Sequence, residues 1–354
     1  MQTLAVEPTD RRSLGATNNL FQSALWAAAK QRAGETARTF RFRYSGGWFP
    51  LLVVMRPAGG GYRFGYVPWG PDVSVPEAEQ PLVLEELAAG LGPLLPDEVT
   101  FLRFDLPWQS PFQREGEAQP SSRLREIRMN FGTESRNLRK APHDAQPTDT
   151  LIIDPRTEEH ALFSSMRPKT RYNIRLAARR GVTVQQESPA ALPRWYELYR
   201  ETMQRKGLTV HEYRHFEALF AADQSGEDER ADLRLLLAYG HGEPLAGMIL
   251  GLYGDYAVYL YGASSARHRS SMPAYLLQWR AIGEAAAAGC RTYDMYGIPP
   301  DESPSHPMHG LLRFKAGFGG SRLTRRGCWD YPFAEEPYRE VKGTELADAG
   351  YYAS

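Results

Sequence analysis

Residues 166–181 read MRPKTRYNIRLAARRG, and the elements on either side take their order from this stretch. It holds Arg167, Lys169, Arg171, Arg175, Arg179 and Arg180, and no acidic residue. Pro168 and Thr170 suit the start of a helix and Gly181 its end. Within that helix Arg171, Arg175 and Arg179 recur every four residues and share one face. Like charges at this spacing repel by roughly 0.2–0.5 kcal/mol per pair. The face therefore meets either water and salt or a polyanion. The whole chain carries 42 basic and 42 acidic residues, so the charge is local rather than compositional.

Working outward, LIIDP (151–155) reads as a strand and TEEHALFSSM (157–166) as a helix. On the other side VTVQQES (182–188) is a strand, and LPRWYELYRETMQRKG (192–207) and HEYRHFEALFAA (211–222) are amphipathic helices. Three strands follow, DLRLLLAYG (232–240), PLAGMILGLYG (244–254) and YAVYLYGAS (256–264). The helix SMPAYLLQWRAIGEAAAAG (271–289) and the strand RTYDMYGI (291–298) close the series. The order β-α-α-β-α-α-β-β-β-α-β predicts α/β architecture with a mixed sheet.

The first half has a similar rhythm. A helix starts near Asn19, and FRFRYSGGWFPLLVVMRP (40–57) gives two strands around Gly46-Gly47. YRFGYVPWGPD (62–72) is a strand, and Pro81 to Ala89 a helix. FLRFDLPW (101–108) alternates Phe101, Arg103 and Asp105 against Leu102, Phe104 and Leu106, as a strand does. Residues 109–150 look loop-rich. At 354 residues two domains are expected, with a boundary near residue 151. The segment after residue 300 is too short for a third domain and should pack back onto one of the two.

Composition excludes several classes. Neutral net charge argues against a general nucleic-acid coat but leaves room for a local anion site. Cys290 and Cys328 are the two cysteines, too few for a disulfide framework or a metal cluster. The N-terminus lacks the apolar region of a secretory leader. No apolar run approaches the ~18 residues of a membrane span, so a soluble, cytoplasmic protein is expected. His211, Glu212 and His215 have the H-E-x-x-H spacing that can bind zinc on a helix. The motif falls at the start of its helix without a third-ligand pattern, and the stripe Tyr213, Phe216 and Phe220 already explains that helix. No metal is expected.

Several segments together resemble one family: RPKTRYNIRLAARRGV (167–182), YVPWGP (66–71), LRFDLPW (102–108), YLYGASS (259–265), MPAYLLQWRAI (272–282), YDMYGIPP (293–300) and LLRFKAGFGG (311–320). They are similar, in this order, to the FemABX aminoacyltransferases, which add amino acids to peptidoglycan precursors using aminoacyl-tRNA. The resemblance implies two tandem GNAT-like domains with mixed sheets. The first would be residues 1–150 completed by 311–354, and the second 151–310. Some members carry a coiled-coil arm; nothing between Glu201 and Asp232 sustains heptads, so none is expected here.

The implied reaction is attack by an amine of a precursor peptide on the aminoacyl ester, with aminoacyl-tRNA as co-substrate and no cofactor. The amine must lose a proton, and the tetrahedral oxyanion needs donors or a cation. The resemblance places Lys315 at the reaction centre, for oxyanion or phosphate stabilisation. Asp105, near the end of an apolar strand, is the candidate to orient or deprotonate the amine. Lys30 and Arg205 match positions that contact the acceptor's phosphate region, and Tyr261 would offer its hydroxyl to the peptide. Arg171, Arg175 and Arg179 would meet tRNA or substrate phosphate. The acceptor is UDP-muramyl-pentapeptide or lipid II. A lipid-linked acceptor would add peripheral contact with the inner membrane face, and no stable protein partner is expected. The alternatives are a CoA-dependent N-acyltransferase on the same scaffold, or a binder of muropeptides or RNA without turnover. A pyrophosphate cradle needs closely approaching backbone N–H groups; ARHRSSMPAY (266–275) has no glycine, which counts against CoA.

Overall fold

The apolar positions of each half find their partners within that half, so the chain packs as two units. These are residues 1–148 with 324–354, and residues 149–323. A computed structural model describes residues 4–112 and 120–347.

In the first unit β1 (Val6–Pro8), β2 (Thr36–Tyr44), β3 (Gly47–Gly59), β4 (Tyr62–Val67) and β5 (Val99–Gln109) lie side by side in that order, with β6 (Arg139–Lys140) further on in the chain. The strand Ser321–Pro332, β13 in chain order, pairs antiparallel with β5, setting Cys328 opposite Asp105. The β2–β3 hairpin turns on Ser45 and Gly46, both at positive φ (48° and 84°). Such a turn matches the twist of the strands, and glycine adopts it without a Cβ penalty. β4 and β5 are parallel, connected through the helix Gln80–Leu91.

β5 shows why a period-two pattern alone is ambiguous. Leu102, Phe104 and Leu106 enter the apolar core with Leu84, Leu87 and Leu91 of that helix. The opposite face, Phe101, Arg103 and Asp105, is equally buried. The C-terminal helix Glu335–Ala347 supplies cover: Tyr338 packs on Phe101, and Glu345 takes two N–H groups of Arg103 at 2.9 and 2.8 Å. Asp330 of β13 takes two more at 2.7 and 2.8 Å. Residues 109–150 are less irregular than their composition suggests. They hold a helix, Ser122–Met129, started by the Ser121 hydroxyl accepting the Leu124 N–H, and the short β6. Residues 113–119 of that stretch lie outside the described residues.

The second unit contains β7 (Asp149–Ile153), β8 (Thr183–Glu187), β9 (Ala231–Gly240), β10 (Glu243–Tyr253), β11 (Tyr256–Ser264) and β12 (Thr292–Asp294). They run β7-β12-β11-β10-β9-β8, parallel between β11 and β12 and antiparallel elsewhere. One face carries the basic helix Pro168–Arg179 and the helix Pro273–Ala287, which bury Ile174, Ala177, Leu277 and Ala281 against it. Trp195, Tyr199 and Phe216, from the helices Leu192–Lys206 and Tyr213–Gln224, form a separate aromatic stack with Tyr261. The first of these helices stops at Gly207 in the left-handed conformation, and no arm separates the pair.

Residues 311–323 belong to the second unit and not to the first, as the family resemblance had implied. Phe318 is fully buried in the second core, and the Gly317 carbonyl accepts the N–H of Arg167 at 2.9 Å. The chain returns to the first unit only at Thr324.

Removing one partner of a buried ion pair strands the other in low dielectric. Asp330→Ala, beneath a 5% exposed Arg103, should cost about 3–5 kcal/mol. Glu345→Gln, on the more open rim, should cost about 1 kcal/mol or less. Denaturant unfolding monitored at neutral pH checks this, and equal losses would mean the network is not centred on Asp330.

Candidate active site

Strand β11 organises the second unit's polar residues. Its pairing with β10 slips between Ile249 and Leu250, so Ile249 faces Tyr261 and Leu250 faces Tyr259. The bulge leaves Leu260 unpaired and sends Tyr259 and Tyr261 to opposite faces, where strict alternation would put them together. Tyr259 packs on the main core. Tyr261 joins the aromatic stack, 5.0 Å from Phe216, and its hydroxyl is 2.8 Å from Nε2 of His215. Gly262 makes room for the Tyr259 ring: a Cβ there would come 1.8 Å from that hydroxyl oxygen.

Lys315 ends the short helix His309–Lys315 and is 4% exposed. Its ammonium donates to the carbonyls of Tyr296 at 3.1 Å and Gly297 at 2.8 Å, and lies 5.4 Å from the centre of the Tyr259 ring. An ammonium has three protons; the third has no protein acceptor among the described residues. Burial pulls the pKa down to about 7, with Asp294 opposing and Lys206 assisting the shift. Asp294, fully buried, holds the carbonyls in place. It accepts the hydroxyls of Thr150 and Tyr256 and, at 2.7 Å, the N–H of Tyr296. Tyr296 sits at φ 60°, a conformation non-glycine residues keep only when their surroundings fix it. A partly desolvated cation with a proton to spare can stabilise an oxyanion or a phosphate oxygen.

In the first unit Asp105 is 2% exposed and accepts the Tyr66 hydroxyl at 2.8 Å. Burial raises its pKa to about 7; the Tyr66 hydrogen bond lowers it, Asp144 raises it, and Lys140 and Arg325 lower it. Lys140 in turn pairs with Asp144 at 2.6 Å. The Tyr66 hydroxyl is held well above its usual pKa, first by burial and then by Asp105. The Arg56 guanidinium lies 4.2 Å over the Tyr66 ring and 3.6 Å from Glu35. Glu35 accepts from buried Lys30 at 2.9 Å. Lys30 and Asp105 thus belong to one chain of contacts, Lys30–Glu35–Arg56–Tyr66–Asp105. Desolvation lowers the Lys30 pKa, and Glu35 opposes it.

Arg205 is tied to Ser264, at the end of β11, through the carbonyl at 3.0 Å and the hydroxyl at 3.1 Å, and to Glu201 at 3.4 Å. The three arginines of the basic helix differ in use. Arg171 gives Nη1 to the carbonyls of Ser164 at 2.7 Å and Met166 at 2.6 Å, closing the end of the helix Glu159–Ser165. It is a structural cap. Arg175 lies 4.8 Å over Phe163 and Arg179 5.8 Å over Tyr172, and neither has a carboxylate partner among the described residues. His211 precedes its helix and stacks on His215, whose Nε2 lies 2.8 Å from the Tyr261 hydroxyl. Tyr66, Asp294 and Tyr259 were not singled out from the sequence, though each lies inside a quoted segment. Their signal was a polar or aromatic residue between buried neighbours, which only the bulge and the packing make specific.

The FemAB family model matches residues 14–227, and that of an acetyltransferase (GNAT) domain residues 164–307. The lipid II:glycine glycyltransferase of Staphylococcus aureus (strain USA300) is 23% identical over 259 residues, covering 56% of this chain and 62% of the relative. The match thus spans less than two thirds of that protein. The crystal structure of FemX superposes with TM-score 0.76 at 18% identity, over 97% of this chain and 100% of that one. A tandem GNAT protein from the clavulanic acid biosynthesis pathway gives 0.55 at 12% identity, over 94% and 99%. Both structures share the fold.

The folded chain holds the Asp105 proton up to about pH 7, whereas an ordinary carboxyl releases it near 3.8. Between these values the native state binds more protons, so stability falls as pH rises. Asp105→Asn removes the burden and should gain on the parent by up to about 4 kcal/mol from pH 4 to pH 8 in denaturant unfolding. A difference independent of pH would show that Asp105 titrates normally.

Proposed function

The chain belongs to the FemAB family, and on that footing we propose that it transfers an aminoacyl group from tRNA to an amine of a peptidoglycan precursor peptide. The observation that carries the reading is Lys315, a buried ammonium held by two carbonyls with one N–H to spare. The amine nitrogen attacks the ester carbonyl, the oxyanion forms, and the C–O bond to the tRNA ribose breaks as the new amide forms. Lys315 donates to the oxyanion. Asp105, pushed up to about 7 by burial, is half ionised at neutrality, as a proton acceptor working at that pH needs. Arg205 binds the acceptor's phosphates, and Tyr261 orients its peptide. Arg175 and Arg179 hold tRNA phosphate, with Arg171 fixing the helix on which they stand.

The main competitor is CoA-dependent acylation. At the start of the helix Pro273–Ala287, where such enzymes bind pyrophosphate, several donors are already in use. Pro273 has no N–H, and those of Ser271, Met272 and Tyr275 go to the carbonyls of His268, Arg269 and Met272 at 2.8, 3.1 and 3.1 Å. These three are not free to cradle a diphosphate.

Incubating the chain with a mixed pool of charged tRNAs and UDP-linked muramyl pentapeptide should give a product one amino-acid residue heavier by mass spectrometry. Acetylation from acetyl-CoA with no tRNA-dependent shift would favour the competitor. Lys315→Met should lower kcat by about 10²–10³-fold with little change in acceptor KM; equal losses in both would mark a ground-state phosphate contact. Replacing Arg175 and Arg179 by Gln should flatten the salt dependence of tRNA binding, reducing the log–log slope by about 1.5. An unchanged slope would return both to solvent.

A further inference from the structure

Among the described residues few large apolar side chains are exposed, and three of them gather on one short element. Leu124 and Ile127 of the helix Ser122–Met129 are 40% and 61% exposed, and Phe131 just beyond it is 84% exposed. Leu124 and Ile127, three apart, share one face of the helix, and Phe131 follows its end. Two clefts flank the ridge they form. One, about 860 Å³, is lined by Arg125, Arg128 and Arg326 with Phe112 and Trp329. The other, about 540 Å³, is lined by Arg123, Arg136 and Arg139 with Ile127 and Phe131. Phe131 borders both.

Arginines outnumber acids in both clefts. Glu126, which lines the smaller one, accepts the Lys140 backbone N–H at 2.9 Å and lies 3.9 Å from Lys342. Glu77, at 3.3 Å, is the partner of Arg326 in the larger cleft. The buried Nε atoms of Arg125 and Arg326 have no hydrogen-bond partner among the described residues. The region therefore presents protruding apolar side chains flanked by arginines.

We propose that this ridge docks the protein on an anionic lipid surface. Leu124, Ile127 and Phe131 enter the headgroup–acyl boundary while the flanking arginines take lipid phosphates, the division of labour of an interfacial amphipathic helix. A nucleic acid would satisfy the arginines but leave Leu124 and Ile127 in water. No helix among the described residues is long and apolar enough to cross a membrane, so this contact is at the surface. The inference is independent of the transfer chemistry, since none of these residues has a part in it. It would bring the chain to an acceptor carried on lipid.

The test is sedimentation of the full chain with vesicles of phosphatidylcholine alone or mixed with phosphatidylglycerol, at low and high salt. The chain should sediment with the mixed vesicles and be released by salt. The double variant Ile127→Ser, Phe131→Ser should bind at least about tenfold more weakly, and each of Arg123→Gln, Arg125→Gln and Arg128→Gln about fivefold more weakly. All these variants should keep the parent's melting temperature and its turnover of the soluble nucleotide-linked acceptor. Sedimentation that ignores phosphatidylglycerol, or is unaffected by the serine pair, overturns the proposal. Retained lipid binding by the serine pair, with loss on arginine replacement alone, would indicate a polyanion such as RNA instead. Absence of tRNA-dependent transfer in a chain that still binds the vesicles would refute the enzyme reading and leave the docking intact.

Discussion

A buried ammonium gives up most of its water, and Lys315 recovers only part of that loss from the carbonyls of Tyr296 and Gly297. Those carbonyls face the lysine because Tyr296 is held at positive φ, and Tyr296 is held there by Asp294. Asp294 lies at the end of β12, whose parallel pairing with β11 brings Tyr256 within reach of the same carboxylate. The bulge in β11 then puts Tyr259 near the ammonium and Tyr261 on the far face. The second unit's strand order and the bulge in β11 thus converge on one poorly solvated positive charge.

The first unit does the same with the opposite sign. Asp105 lies on a strand covered on both faces, and its single strong donor, Tyr66, does not offset the desolvation. Burial moves a carboxyl up and an ammonium down, so both groups come to titrate near neutrality, where a proton can be exchanged at little cost. A surface Asp would be fully ionised at that pH and a weak base.

Much of this was legible from residue patterns. The eleven-element order of the second unit follows from periodicity and from Gly and Pro punctuation, because each element there has a distinct apolar period. The local concentration of arginine was equally plain, but the division of labour within it was not. Arg171 caps a helix and Arg175 does not, and that depends on where the preceding helix ends. The boundary at 311–323 was misplaced because Phe318 and Lys315 are anchored by groups distant in sequence. Asp294 and Tyr66 went unremarked for the same reason: their importance lies in what surrounds them. The helix Ser122–Met129 was hidden in a polar stretch, since Leu124 and Ile127 face outward and Met129 alone is buried, too little for a period to mark it.

The alkaline side of the pH–rate profile tests the central claim most directly, because the amine nucleophile becomes more reactive as pH rises and any decline must come from the enzyme. If Lys315 acts as a cation, kcat/KM for tRNA-dependent transfer should fall with an apparent pKa of about 7. In Asp294→Asn, which removes the charge opposing the shift, the fall should begin at still lower pH. A rate that holds up to about pH 10, or a limb that does not move in Asp294→Asn, would contradict the account.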